Sequence, residues 1–258
     1  KLPMSQFEMQ IRAIARQYEI LSKGDGQKAN VVAEAILRCV ENGYWQPNDK
    51  MPAELSLAKA LPVSLGTIQA AYRMLTAEGV VARRRKDGTR LTSQVDVNSL
   101  NWHLRFSDME TGASLTCRST VFSITKTHDS GGWSKFLPDV AEFTCIARRW
   151  SIGERFQVLS RLYISAEFYE PLAELGMNAL NDISLRAVFS DTLRIPTLRA
   201  THSISFRPPT EEEVAVLAVM TDRPLMVLEA CGYTYRDQPF SYQVFSMPTE
   251  LRNVRLMV

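Results

Sequence analysis

The chain is short of the residues that bind metals or form cross-links: it has four cysteines and three histidines in 258 residues. Cys39, Cys117, Cys145 and Cys231 are far apart, form no C-x-x-C pair and have no histidine cluster near them. Neither a zinc site nor a disulfide framework is expected; buried thiols in a reducing cytoplasm are. No run approaches the roughly 20 apolar residues of a membrane helix, and no charged-then-apolar leader opens the chain. The expectation is a cytoplasmic protein with no membrane partner. A glycine-rich phosphate loop, a Ser-His-Asp order and a metal-ligand cluster are also missing, so no catalytic residue, metal or cofactor is assigned. There is no internal repeat and no low-complexity tract.

What is present is ordinary for a folded protein: 45% hydrophobic and 22% charged residues. The length fits about two domains of about 100–150 residues. The net charge is only +2, but residues 1–93 hold 14 Lys/Arg against 9 Asp/Glu while residues 94–258 hold 16 against 19. A basic front and a mildly acidic back suggest a polyanion-binding module followed by a second function.

Residues 1–26 read as an extra N-terminal helix. Phe7, Ile11, Ile14, Ala15, Tyr18 and Leu21 recur at helical spacing, with a Ser5-x-x-Glu8 capping box in front. Residues 27–93 hold three helices and a hairpin. Val31 to Val40 trace one helical face, a short helix spans 53–61, and Ser64 caps a third with Ile68, Ala71, Tyr72 and Leu75 inward. Asp87-Gly88 between extended runs predicts a two-residue turn with both positions at positive φ. Residues 94–112 read as a linker. Residues 113–258 show strand-like runs at 115–125, 142–150, 156–164, 197–206, 226–235 and 240–247, with helical runs near 168–175, 184–191 and 211–220. The fold class is α+β: a winged helix-turn-helix, then a mostly antiparallel sheet domain with helices.

A helix that follows a short helix across a tight break is the arrangement that places a recognition helix in the major groove. Ser64, Gly66, Thr67 and Gln69 at its start suit phosphates and base edges, and Gln pairs bidentately with adenine. Arg83, Arg84, Arg85 and Lys86 add four cations at the hairpin, equivalent to a log K against log salt slope of about −3.6 per protomer. Taken alone, the charge run also fits a solvated face and the serine a simple cap; the order of the elements is what points to double-stranded DNA.

The run from Gly43 through Pro47, Met51-Pro52-Ala53-Glu54, Leu57-Ala58, Leu61, Val63-Ser64, Thr67-Ile68, Ala71 and Leu75 to Glu78-Gly79 resembles the N-terminal domain of GntR-type bacterial transcription regulators. The resemblance implies DNA contacts at or near Glu54, Ser64, Leu65, Gly66, Thr67 and Gln69, and at the wing by Arg83, Arg84, Arg85, Lys86, Gly88 and Thr89. The chain departs from the family at Leu65 and Gln69, where arginine is common, at Asn48, where glycine is frequent, and in the wing, Lys86-Asp-Gly-Thr-Arg-Leu91. Each lost arginine–guanine pair is worth about 1–3 kcal/mol of discrimination, so a different operator is expected.

Beyond Leu115, the pieces Ile146 to Trp150, Leu162 to Ser165, Ser184-Leu185, Leu198 to Thr201, Pro224 to Glu229 and Pro239 to Tyr242 are similar to the UTRA effector domain of the HutC-type branch, which looks like the chorismate lyase fold. Few long periodic helices and only three histidines argue against the all-helical branch, and the aminotransferase-like branch needs a longer chain. The usual Asp-Gly-x-Pro hairpin is replaced here by Ser151-Ile-Gly-Glu-Arg155. The resemblance implies a small anionic, often phosphorylated, effector held by Arg148, Tyr163, Ser184, Arg199, Glu229 and Tyr242, and arginine forks match such anions. Ser184 also fits a helix cap, Tyr242 simple packing, the strand arginines surface pairs, and Trp150 and Phe156 core. The function implied is a homodimeric, effector-responsive repressor reading an inverted repeat. A DNA binder that no longer senses ligand, and a lyase-like enzyme with a DNA-binding head, are the alternatives.

Overall fold

In the computed structural model the described residues are 5–24, 26–92, 104–250 and 253–257. The chain divides into two units at Gln94/Val95. Residues 93–103, most of the expected linker, lie outside the described residues.

The first unit is helical. α1 (Gln6–Leu21) starts at the expected capping box: Glu8 N–H donates to Ser5 Oγ at 3.2 Å, and Ser5 N–H to Glu8 Oε2 at 3.0 Å. Its buried face is rotated from the expected one. Gln10, Ile14 and Tyr18 are inward, while Phe7 is 42% exposed. The cause is polar: the Gln10 amide donates to the Tyr44 carbonyl at 2.8 Å, a backbone acceptor beside α2 that hydropathy does not register. α2 (Lys28–Glu41) packs on α1 and α4 (Leu65–Ala77), and α3 (Glu54–Ala60) precedes α4. Ile14, Ile36, Leu57, Ile68 and Leu75 form the core with Trp45 and Met51.

The wing is β1 (Val81–Arg84) paired antiparallel with β2 (Gly88–Leu91). Arg84 opposes Gly88, so the loop is Arg85-Lys86-Asp87, three residues rather than two. Positive φ falls on Lys86 and Gly88, not on Asp87. Asp87 is held instead by Arg90, whose guanidinium grips both carboxylate oxygens. Arg90 also donates to the Asn48 carbonyl at 2.7 Å, and Asn48 itself sits at φ 71°. This ties the base of the wing to the loop before α3.

The second unit is built on a six-stranded antiparallel sheet. Its strands are β4 (Cys117–Thr127), β5 (Phe143–Ile152), β6 (Phe156–Ser165), β7 (Arg199–Arg207), β8 (Leu225–Tyr233) and β9 (Pro239–Pro248), in the order β4-β5-β6-β9-β8-β7. A separate two-stranded sheet joins β3 (Arg105–Asp108) to β10 (Val254–Met257). β3 falls inside the stretch expected to be linker. Phe106 and the neighbouring Leu104 are buried against Trp150, Ile152 and Phe245, so the second unit reaches back at least to residue 104.

Period-two alternation assigns each strand residue a face. One face carries Ile146, Arg148, Trp150, Ser160, Leu162 and Leu228. It is covered by β3/β10 at one end, and at the other by α6 (Tyr169–Leu175), a 3₁₀ turn at Met177–Leu180 and α7 (Leu185–Asp191). The opposite face carries Cys145, Leu159, Tyr163, Glu229 and Tyr242, under α5 (Gly132–Phe136) and α8 (Glu211–Leu217).

Candidate DNA interface and effector site

α4 begins at Ser64, whose Oγ accepts from Thr67 N–H at 3.2 Å and lies 2.9 Å from Thr67 Oγ1. Both hydroxyls are thus engaged in the cap. Leu65 and Gly66 are exposed on the first turn. Gln69 Nε2 donates to Glu54 Oε2 at 3.1 Å, and Arg83 Nη2 donates to Glu54 Oε1 at 2.8 Å. Glu54 therefore links the recognition helix to the wing and gives Arg83 a counter-charge. Among the described residues Arg84, Arg85 and Lys86 make no ion pair and stand exposed. Gly88 is exposed at φ 97°, and the Thr89 carbonyl accepts from Met51 N–H at 2.8 Å, fixing the second wing strand. Arg73, four residues beyond Gln69, is exposed on the same helical face.

The six expected effector residues do not converge. Arg148 pairs with Ser160 across β5/β6, whereas Tyr163 pairs with Cys145. The odd offset puts Arg148 and Tyr163 on opposite faces. Arg148 and Ser184 belong to the α7 side; Tyr163, Arg199, Glu229 and Tyr242 to the α5/α8 side. Arg148 and Arg199 therefore cannot grip one anion together.

On the α5/α8 side every group is occupied. Tyr163 stacks on Trp133 with centroids 3.9 Å apart. Tyr242 Oη donates to Glu229 Oε1 at 2.5 Å, and Ser203 to the other Glu229 oxygen at 3.2 Å. Burial, then the Glu229 carboxylate, raises the Tyr242 phenol above its usual range. Arg199 makes a bidentate pair with Asp237 at 2.8 and 2.9 Å and lies 3.8 Å over the Tyr233 ring. A cleft of about 610 Å³ between Trp133 and Thr210 has Tyr163, Arg161 and Arg207 in its lining. Both arginines are already paired, to Glu212 and Glu213.

On the α7 side the balance differs. Arg148 is 2% exposed and donates to the Leu180 and Ile183 carbonyls, each at 3.1 Å. Its Nε is buried without a hydrogen-bond partner. Burial lowers the guanidinium's pKa to about 9, against the more distant Asp182 carboxylate, which raises it. Asp182 is itself paired with Arg118 at 2.8 Å. Beside Arg148 lie Trp150, whose ring centroid is 5.4 Å from the guanidinium carbon and whose Nε1 donates to Ser160 Oγ at 2.9 Å, and Ser160 itself, its cross-strand partner. Ser184 caps α7, accepting from Ala187 N–H at 3.4 Å. Trp150, expected to be core, is buried beside Arg148.

A helix-turn-helix module with a basic hairpin, followed in the chain by an antiparallel sheet domain, is the class of a DNA-binding regulator with a second domain. Residues 28–91 match the family described as bacterial regulatory proteins, gntR family, and residues 118–251 match the UTRA domain. The chain belongs to this family: it is a transcriptional regulator of GntR/UTRA type. It is 22% identical over 228 residues to the HTH-type transcriptional regulator Rv0792c of Mycobacterium tuberculosis (strain ATCC 25618 / H37Rv), covering 87% of this chain and 83% of that protein. The histidine utilization repressor of Pseudomonas putida is 38% identical over 58 residues, 22% of this chain and 23% of that one. The solved ligand-binding domain of a GntR-family regulator from Bordetella bronchiseptica superposes with a TM-score of 0.52 at 19% identity, covering 60% of this chain and 95% of that one. No helix of the described residues is long and apolar enough to cross a membrane.

Proposed function

We propose that the protein is a cytoplasmic repressor, not an enzyme, that binds an inverted-repeat operator as a homodimer and is released by a small anionic metabolite at Arg148. One observation carries the anionic reading: a buried guanidinium whose partners are carbonyls and whose Nε has none. A buried cation without a paired anion is costly, and an incoming phosphate or carboxylate would remove that cost through a forked contact. The segment over Arg148 is fastened to strand β4. Asn181 Oδ1 accepts from Val121 N–H at 2.8 Å, and Asp182 Oδ1 from Ser119 N–H at 2.7 Å, with Asp182 at φ 54°. An anion that displaces the Leu180 and Ile183 carbonyls must shift this segment. Binding is thereby coupled to a second arrangement of the domain, as effector control requires. Tyr163, Arg199, Glu229 and Tyr242 stay outside this site in the reading.

The test is thermal unfolding of the full chain with inorganic phosphate, sugar phosphates, phosphonates, amino-acid catabolites and acyl compounds. A ligand at 100 times its Kd stabilises by about 2.7 kcal/mol. The expected result is a stabilising anion whose effect is lost in Arg148→Met, kept in Arg199→Met, and which weakens binding to operator DNA. No stabilisation by any anion, or one equally lost in Arg199→Met, would overturn the assignment of the site.

A further inference from the structure

The outward side of α4 carries a stripe of three unlike side chains. Leu65, Gln69 and Arg73 follow at spacings of four, so they lie one above the other on one face. The opposite side, with Ile68, Ala71, Tyr72 and Leu75, is buried. Leu65 is thus an exposed apolar side chain on the first helical turn, directly after the Ser64 cap. Its surroundings are neutral: no charged residue occurs between Val63 and Tyr72. Gln69 presents a mixed edge. Its Nε2 gives one hydrogen to Glu54 Oε2 at 3.1 Å, which leaves the second N–H and Oε1 as a donor beside an acceptor. A guanine edge offers two acceptors, N7 and O6, and sets one of them against Oε1, whereas an adenine edge offers an acceptor and a donor.

We propose that Leu65 reads the C5 methyl group of a thymine in the major groove, on an operator whose pairs under Leu65 and Gln69 are A·T. This deepens the proposed function by naming what α4 selects, and it rests on the reading of α4 as the recognition helix. The thymine methyl is the one apolar group that a base pair shows in the major groove. Leu65 is the one large apolar side chain exposed on α4. Bringing the two together removes both apolar surfaces from water. Against guanine or cytosine the same leucine would strip water from O6, N7 or the N4 amino group and return no hydrogen bond. Four residues span about 6 Å of helix, less than two base steps of about 3.4 Å each, so Leu65 and Gln69 reach pairs one or two steps apart. The cations for the backbone come from elsewhere: Arg84, Arg85 and Lys86 stand exposed on the wing. The neutral first turns of α4 are therefore left to the base edges.

The experiment uses the full chain. Duplexes are selected from a random-sequence library, and the recovered site is rebuilt with deoxyuridine in place of each thymine in turn, which deletes one methyl group and nothing else. In fluorescence anisotropy at least one such replacement should weaken binding about fourfold, the equivalent of one buried methyl group. In Leu65→Ala the thymine and deoxyuridine duplexes should bind alike at that position, with the thermal unfolding of the protein unchanged. Leu65→Arg, taken through the same selection, should favour a G·C pair there. A site on which no deoxyuridine weakens binding, or whose losses persist undiminished in Leu65→Ala, overturns the methyl readout and leaves the regulator reading standing. A library that yields no enriched sequence overturns the sequence-reading role of α4 as well.

Discussion

Replacing the wing cations one at a time separates free charge from paired charge. Among the described residues Arg84, Arg85 and Lys86 are exposed and make no ion pair, whereas Arg83 lies 2.8 Å from Glu54. On non-specific duplex DNA, each phosphate neutralised contributes about −0.9 to the slope of log K against log salt. Arg84→Ala, Arg85→Ala and Lys86→Ala should each flatten the slope by about 0.9 per protomer, which is about 3.5-fold in affinity change over a fourfold range of salt. Arg83→Ala should flatten it clearly less, because the Arg83–Glu54 pair releases fewer counter-ions. The pair itself is exposed, with side-chain exposures of 69% and 21%, so it stabilises the fold only weakly, by about 0.2–1 kcal/mol. Glu54→Gln should therefore steepen the wild-type slope, by up to about 0.9, without unfolding the domain. The assay is fluorescence anisotropy on a random-sequence duplex between 50 and 200 mM salt. Equal slopes for Arg83→Ala and Arg84→Ala, or no steepening in Glu54→Gln, would refute the claim that Glu54 sets the wing's effective charge.

Three further outcomes are expected. Glu213 is 1% exposed; burial raises its pKa, but Arg207, Ser246 and Thr210 outweigh that and hold it at about 2, against an ordinary 4.5. A depressed carboxylate stabilises above its unfolded pKa and loses that contribution as pH falls through the folded one. Urea unfolding of the second unit should thus lose about 3 kcal/mol from this group between about pH 5 and pH 2, and Glu213→Gln should flatten that limb. A Cβ at Gly132 would lie 2.1 Å from Tyr242 Oη. Gly132→Ala should destabilise by about 1–3 kcal/mol in thermal unfolding, and part of the loss should return when Tyr242→Phe is added. Gln10→Ala should cost about 1–2 kcal/mol and raise amide exchange along α1, because it leaves the Tyr44 carbonyl without its donor.

Much of this molecule is legible in one dimension. The order of three helices and a basic hairpin, the caps at Ser5 and Ser64, and all six strands of the large sheet follow from periodicity, capping and turn residues. These depend on neighbours a few positions away, and such signals survive without a fold. β3 and β10 were not visible, because each is only four residues long and finds its partner about 150 positions along the chain. The buried face of α1 turned on one long-range bond from Gln10. The effector residues show the same limit most clearly. Motif pieces place Arg148, Tyr163, Ser184, Arg199, Glu229 and Tyr242 in the right domain but carry no information on faces. Which face a side chain takes depends on cross-strand register: a single residue of offset sends it to the other side of the sheet, and only the assembled sheet sets that register. The charge of the wing is in the sequence. That Glu54 cancels one part of it, and that Arg148 is left buried without an anion, are consequences of tertiary packing, because ion pairs and desolvation arise only where distant segments meet.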